Sequence, residues 1–192
     1  MLDMRWSDKS GLRTLRRAVS QLETSKIRKI GKLALNKAGQ QARTATVRAL
    51  RDQTGLKSKV LRRALKVRRA RAGKLEYRID SYGGDVALKF FAARETRKGV
   101  SAKPFNKRQI FRSTFIKGGR FPARTDLGMG RQVFMRSGSG RLPISKQKSG
   151  VVIPSEMVKD ESADAWNSTV GTVLPARIEH ELRRMTKGAF SR

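Results

Sequence analysis

Apolar residues first recur at helical spacing. Leu12, Leu15, Val19 and Leu22 follow Ser7 and Asp8, either able to cap a helix, and predict a helix to about Leu22. Ser25 opens a second, longer helix to about Gln53. Along it Ile30, Ala34, Ala38, Ala42, Ala45 and Ala49 form a narrow seam, widened by Leu33 and Leu50. Small side chains at that spacing let another helix approach closely. Thr54-Gly55 ends the run, and GLKSKVLRRAL starts a short third helix with Leu56, Val60, Leu61 and Leu65 inward.

The period then changes to two. In LEYRID, Leu75, Tyr77 and Ile79 alternate with Glu76, Arg78 and Asp80, which predicts a half-buried strand. SYGGD reads as a turn and VALKFFA as the hairpin partner, with Val86, Leu88 and Phe90 on one face. GVSAKPF (99–105), RQIFRSTFI (108–116) and RQVFMR (131–136) predict three further strands, and the insertion KGGRFPARTDLGMG a glycine-rich loop. A helical segment is expected from about Ser155 to Val170. A last helix is expected to start at Pro175, a favoured first position, and to bury Ile178, Leu182 and Met185.

This order predicts an α+β fold. One antiparallel sheet of four or five strands would be packed by the long Ala-rich helix and the C-terminal helix. The expected organisation is a helical arm at 1–24 and one domain at 25–192. That domain would hold basic helices at 25–72, the sheet at 75–136, a connection at 137–154 and C-terminal helices at 155–187.

Charge changes the picture more than any motif. The 192 residues carry a formal charge of +30. Residues 24–75 hold 17 Lys/Arg against one acid, Asp52, and residues 94–148 hold 15 against Glu95 and Asp126. From 149 onward six basic residues meet six acidic ones. Such a surface repels itself unless a polyanion or an acidic partner lies close. Two Trp and two Tyr are few for a compact globule, so part of the chain is expected to order against partners. Cysteine is absent, which excludes disulfides and thiolate metal sites. No run approaches the roughly 18 apolar residues of a membrane span, nor is there an apolar signal core, so a soluble, non-membrane protein is expected.

Catalytic constellations fare poorly. His180 is the sole histidine and sits among Arg177, Glu179 and Glu181 at helical spacing, without convergent metal ligands or a nucleophile. Asp80, Asp85 and Lys89 imitate a nuclease's carboxylates and lysine, yet both acids flank a turn, where backbone hydrogen bonds are their usual work. GMGR and GSGR lack the Gly-Lys-Ser/Thr of a phosphate loop. The basic tract is the stronger candidate. Lys57, Lys59, Arg62, Arg63, Lys66, Arg68, Arg69 and Arg71 crowd one short helix end, where like charges destabilise unless neutralised. No aromatics interleave with them, so sequence-blind contact with the duplex backbone fits better than base stacking. Phe111, Phe115 and Phe134 lie at strand spacing and read as core.

Three blocks, in order, carry a resemblance. They are LALNKAGQQARTATVRALRDQTGLKSKVLRRALKVRRA, FFAARETRKGVSAKPF and VFMRSGSGRLPISKQKSGVVIP. Together, over roughly residues 30 to 185, they resemble the prophage minor tail protein Z family, the tail completion proteins of lambda-like phages. One departure is SGVV, where the family pattern leads to an expectation of Gly-Pro and a small residue. The resemblance implies a structural virion protein of the tail neck, made in the bacterial host cytoplasm, with no enzymatic activity, cofactor or small-molecule substrate. It implies a homo-oligomeric ring, six-fold like the tail, beside the tail tube, the tail terminator and the head-tail connector. Double-stranded DNA of the packaged genome would pass close by. Arg141, Leu142, Pro143, Ile144, Ile153 and Pro154 are then expected to dock a neighbouring subunit. The competing reading is a general nucleic-acid-binding protein of ribosomal or nucleoid type. It accounts for the charge but not for the neutral region after 149.

Overall fold

A computed structural model describes residues 24–186. The first predicted helix, and all of the 1–24 arm but its last residue, lie outside the described residues. The chain divides into two compact units, one of residues 24–41, 68–78 and 169–186, the other of 42–67 and 79–168.

Helix α1, Thr24–Thr54, contributes to both units. A buried stripe recurs every fourth residue, at Ile30, Ala34, Ala38, Ala42, Thr46, Leu50 and Thr54, with Gly39 and Val47 buried beside it. A helix turns in about 3.6 residues, so a stripe of period four winds slowly round it. The seam therefore leaves Ala45 and Ala49 half-buried and passes instead through two threonines. Their hydroxyls donate to the carbonyls of Ala42 and Leu50 at 3.0 and 2.6 Å, which keeps the buried oxygens paired.

In the first unit this helix holds residues 68–78 through three contacts. Leu75 lies over Gly31, and the Tyr77 ring lies so close to Gly39 that a Cβ there would sit 2.3 Å from it. Between them the Asn36 side chain donates to the Ala70 carbonyl at 3.1 Å and accepts its N–H at 2.9 Å. The alternation of LEYRID is therefore only partly realised. Leu75 and Tyr77 serve the helix, and the strand begins later, at Arg78.

In the second unit α1 ends at a glycine that no other residue can easily replace. Gly55 has φ +78° and donates to the Arg51 carbonyl at 2.9 Å. A Cβ on it would meet the Lys103 carbonyl at 2.9 Å and the Asn106 nitrogen at 3.1 Å. Helix α2, Ser58–Ala64, follows and passes without a loop into strand β1, Leu65–Arg68. Strand β2, Arg78–Ser81, pairs with β1.

The single predicted sheet is instead several small antiparallel ones. Strands β3 (Arg94–Thr96), β4 (Gly99–Ala102) and β5 (Gln109–Arg112) form one, with β4 central. Strands β6 (Thr114–Phe115), β7 (Lys117–Gly118), β8 (Thr125–Asp126), β9 (Phe134–Arg136) and β10 (Ile144–Lys146) complete the set. Of these, β6, β9 and β10 make a second three-stranded sheet with β9 central, and β7 pairs with β8. The break falls at Ser113, whose φ of +57° turns one predicted strand into two belonging to different sheets. The Thr114 hydroxyl bridges the break, donating to the Phe111 carbonyl at 2.6 Å and accepting the Val100 N–H at 3.1 Å. The supposed glycine-rich loop contains the β7–β8 hairpin.

The predicted 75–80/86–92 hairpin does not form. Residues Leu88–Phe90 make a turn of 3₁₀ helix, so Leu88 and Phe91, three apart, are buried, while Phe90 is exposed. The second unit's core joins Val47 and Leu50 of α1 to Leu56, Leu61, Leu65, Leu88, Phe91, Val100, Ile116, Val133, Val151 and Ile153. Of the aromatics expected there, Phe134 is buried and Phe111 and Phe115 are half-buried. Helix α3, Ile153–Met157, leads to α4, Asp160–Met185. Pro175 lies inside α4 rather than at its start. An interior proline costs about 3 kcal/mol relative to alanine, and the carbonyl its ring crowds belongs to Gly171, whose backbone yields most easily.

Replacing Gly55 by alanine is expected to cost about 1–3 kcal/mol, from the left-handed backbone and the crowded 103–106 segment together. Gly73→Ala, with ordinary φ and open space around its Cβ, should be close to neutral. Urea unfolding midpoints of the two variants measure the contrast.

Candidate polyanion and docking surfaces

All eight cations of the predicted tract are exposed, but they do not crowd one helix end. In the second unit Lys59, Arg62 and Arg63 sit on α2, Lys57 just before it, and Lys66 on β1. Along β1, Leu65 and Val67 point inward and Lys66 and Arg68 outward, because side chains alternate in a strand. The Lys66 ammonium lies 5.9 Å from the centre of the Tyr82 ring. Arg43 donates to the carbonyls of Arg62 and Leu65 at 3.2 and 3.4 Å, placing its cation at the C-terminal end of α2. In the first unit Arg69 and Arg71 flank Ala70, the buried residue held by Asn36. The one acid of residues 24–75 does not offset these charges. Asp52 takes Arg51 in a two-pronged pair at 2.8 and 3.1 Å, and this hydrogen bonding lowers its carboxyl below the ordinary range.

The connection at 137–154 is ordered by pairing on both sides. Arg136 donates to the carbonyls of Gly140 and Arg141 at 3.2 and 2.6 Å, and Ser137 N–H to Pro143 at 3.2 Å. The Leu142–Pro143 peptide is cis. Beyond β10, residues 147–151 run antiparallel to 86–88. Val86 donates to Val151 at 2.9 Å, Ser149 to Val86 at 3.0 Å, and Ala87 bridges Lys148. This is the pairing that replaces the predicted hairpin. Asp85 locks it: its Oδ1 accepts from the Ser149 N–H, the Ser149 hydroxyl and the Gly150 N–H at 3.1, 3.2 and 2.8 Å.

Among the residues expected to dock a neighbour, Arg141, Leu142 and Pro143 are exposed, Leu142 by 70%. Ile144 and Pro154 are half-buried. Ile153 is not available. It packs in the chain's own core at 6% exposure, because the step into α3 turns it inward beside Val151.

The nuclease-like trio does not converge. Asp80 is buried on β2, Asp85 serves the 149–150 turn, and Lys89 donates to the Gly130 carbonyl at 3.4 Å. The exposed His180 ring lies 3.7 Å from Glu181. Among the described residues no group of three or more His, Asp or Glu is placed to hold a metal ion, and no helix is long and apolar enough to cross a membrane.

Sequence reasoning missed one feature, an open cleft of about 730 Å³ in the second unit that continues into an adjoining one of about 740 Å³. Arg97 and Lys98, the two-residue turn between β3 and β4, meet Lys117, Arg120, Arg124 and Arg136 around it. These residues span forty positions of sequence (97 to 136) and come from separate strands and loops. The excess of cations over residues 94–148 was the available signal.

The geometry is that of a cationic α+β protein with a groove lined by basic residues and an exposed apolar tip at Leu142. The chain belongs to the family described as Prophage minor tail protein Z (GPZ), whose model matches residues 10–188. It is thus a structural tail protein of the virion and not an enzyme. Comparison with curated proteins and with solved structures finds no match.

Replacing Asp85 by alanine strands the Gly150 N–H and leaves the Ser149 N–H and hydroxyl only the Val86 carbonyl, and is expected to cost about 1–3 kcal/mol. Hydrogen exchange should report it first as faster exchange of the Ser149 and Val151 amides, well before any change in α1.

Proposed function

We propose that this tail protein completes the head-proximal end of the tail and prepares it to join the filled head, as a six-fold ring in the neck. Its neighbours in this reading are the tail tube, the tail terminator and the head-tail connector, with the genome end in non-specific contact. The observation that carries the proposal is the family match over nearly the whole chain, read together with the division of charge. Regions rich in exposed cations face phosphate, and the balanced region after 149 faces protein. The exposed Leu142 tip, held by Arg136 on a paired strand, supplies an apolar contact for a neighbouring subunit.

Two sets of substitutions separate the roles. Changing Arg62, Arg63, Arg68 and Arg69 to Gln should leave tails that assemble but place or retain the genome end poorly. Changing Leu142 and Ile144 to Ser should prevent incorporation into tails. Electron microscopy and DNA protection in purified particles read both. Fully infectious particles with normal DNA placement from the Gln variant would overturn the DNA role of the tract. Normal incorporation of the Ser variant would overturn the docking role of the tip.

A further inference from the structure

We infer that the cleft between the β3–β4 turn, the β7–β8 hairpin and the end of β9 is a phosphodiester-binding site, separate from the 57–71 tract. The cleft concentrates six cations, Arg97, Lys98, Lys117, Arg120, Arg124 and Arg136, around two adjoining hollows. No carboxylate is among the residues lining the two hollows. Glu95, largely buried, is taken up by Arg124 and by the N–H groups of Ile116 and Lys117 at 3.1 and 3.4 Å. Glu95 therefore fixes the cleft's inner wall and leaves the other cations without a carboxylate partner among the described residues.

Convergence of like charge in one cleft is unfavourable by itself, and a bound polyanion removes the cost. The lining suits phosphate. Four of the six cations are arginines, whose planar fork matches two phosphate oxygens at once. Two of their planes are set by rings: Arg136 lies 5.2 Å from the centre of Phe115, and Arg124 lies 5.8 Å from that of Phe121. Gly119, at φ +90°, and Gly138, with open space around its Cβ position, leave backbone unscreened along the floor. With one guanidinium set against each ring, the cleft offers mainly charge and N–H donors. That combination reads a sugar-phosphate backbone and ignores base identity. The choice over an acidic peptide rests on the cationic excess of the lining, whose large apolar members are only Phe115, Phe121 and Pro122, since a docked peptide also needs pockets for its side chains.

The test uses the full chain and a 30-base-pair duplex of arbitrary sequence, followed by fluorescence anisotropy from 50 to 300 mM salt. Arg97, Lys98, Lys117 and Arg120 are changed to Gln together. Arg124 and Arg136 are left because they hold Glu95 and the 137–143 loop. The slope of log affinity against log salt should fall by about 2–3, and affinity at 0.1 M salt by on the order of 100-fold. An R97K/R120K variant should keep the slope. An unchanged urea midpoint for the four-Gln variant shows that the fold survives; a lowered midpoint with slope lost only in proportion to unfolded protein overturns the site. An unchanged slope with intact fold also overturns it, and so does equal competition by poly-glutamate matched to the duplex in charge. A parallel variant with Arg62, Arg63, Arg68 and Arg69 changed to Gln keeps the two surfaces distinguishable. Loss there alone leaves the tract's role standing and removes the cleft's, and loss in the cleft variant alone does the reverse.

Discussion

Self-repulsion is the constraint under which everything else in this chain is built. Forty-five lysines and arginines face fifteen carboxylates, so acids are scarce, and several of the described ones do structural work. Asp85 gathers the 149–150 turn, Glu95 ties β3 to the start of β7, and Asp126 accepts the Gly128 N–H at 2.9 Å. Glu156 takes the Gln53 amide at 2.6 Å while the other end of that amide accepts the Ser162 hydroxyl at 2.7 Å. Gln53 thus joins the end of α1 to α3 and α4 with no net charge. These contacts spend carboxylates on backbone N–H groups and, at Glu156, on a side-chain amide, where hydrogen bonding to a charged acceptor is strong. The cations are left to the surface.

That division explains why the fold dispenses with a broad sheet. Strands of two to four residues bury little, and the core is completed by residues from turns and helix ends, such as Leu56, Phe91 and Val151. Short strands also present short unpaired edges, and edges rich in Lys and Arg resist joining other chains. The same economy produces grooves: where small sheets meet at angles set by Ser113 and the β3–β4 turn, cations from several strands line the space between them.

Periodicity revealed the helices well and the sheets poorly. The α1 stripe from Ile30 to Ala42 and the inward Leu56, Leu61 and Leu65 follow from spacing alone. The partner of Val86 does not, because alternation says which face of a strand is buried and nothing about which strand lies beside it. Ser113 gave no warning, since a left-handed serine leaves no mark on the hydrophobic pattern. Pro175 read as a helix start because proline is favoured there, yet α4 was already under way. The surface followed the same division. The tract at 57–71 is contiguous and could be seen at once, whereas the cleft is assembled from distant residues and exists only in the folded topology. The three family blocks were legible because each is a local run, and their order carries the kinship.

The pairing of 85–88 with 147–151 has a kinetic side. Asp85 and Ser149 are 64 residues apart. At about 5–20 residues per second, a ribosome needs several seconds to supply the second partner after the first has emerged. During that interval the backbone of residues 86–88 lacks the segment that pairs with it, and the loop that must close is long. Helix α1 and α2, built from near contacts, can form within microseconds of emerging. The nascent chain therefore carries a finished basic helical segment and an unfinished apolar edge at once, and its mutual repulsion with other nascent copies guards that edge until residue 151 arrives.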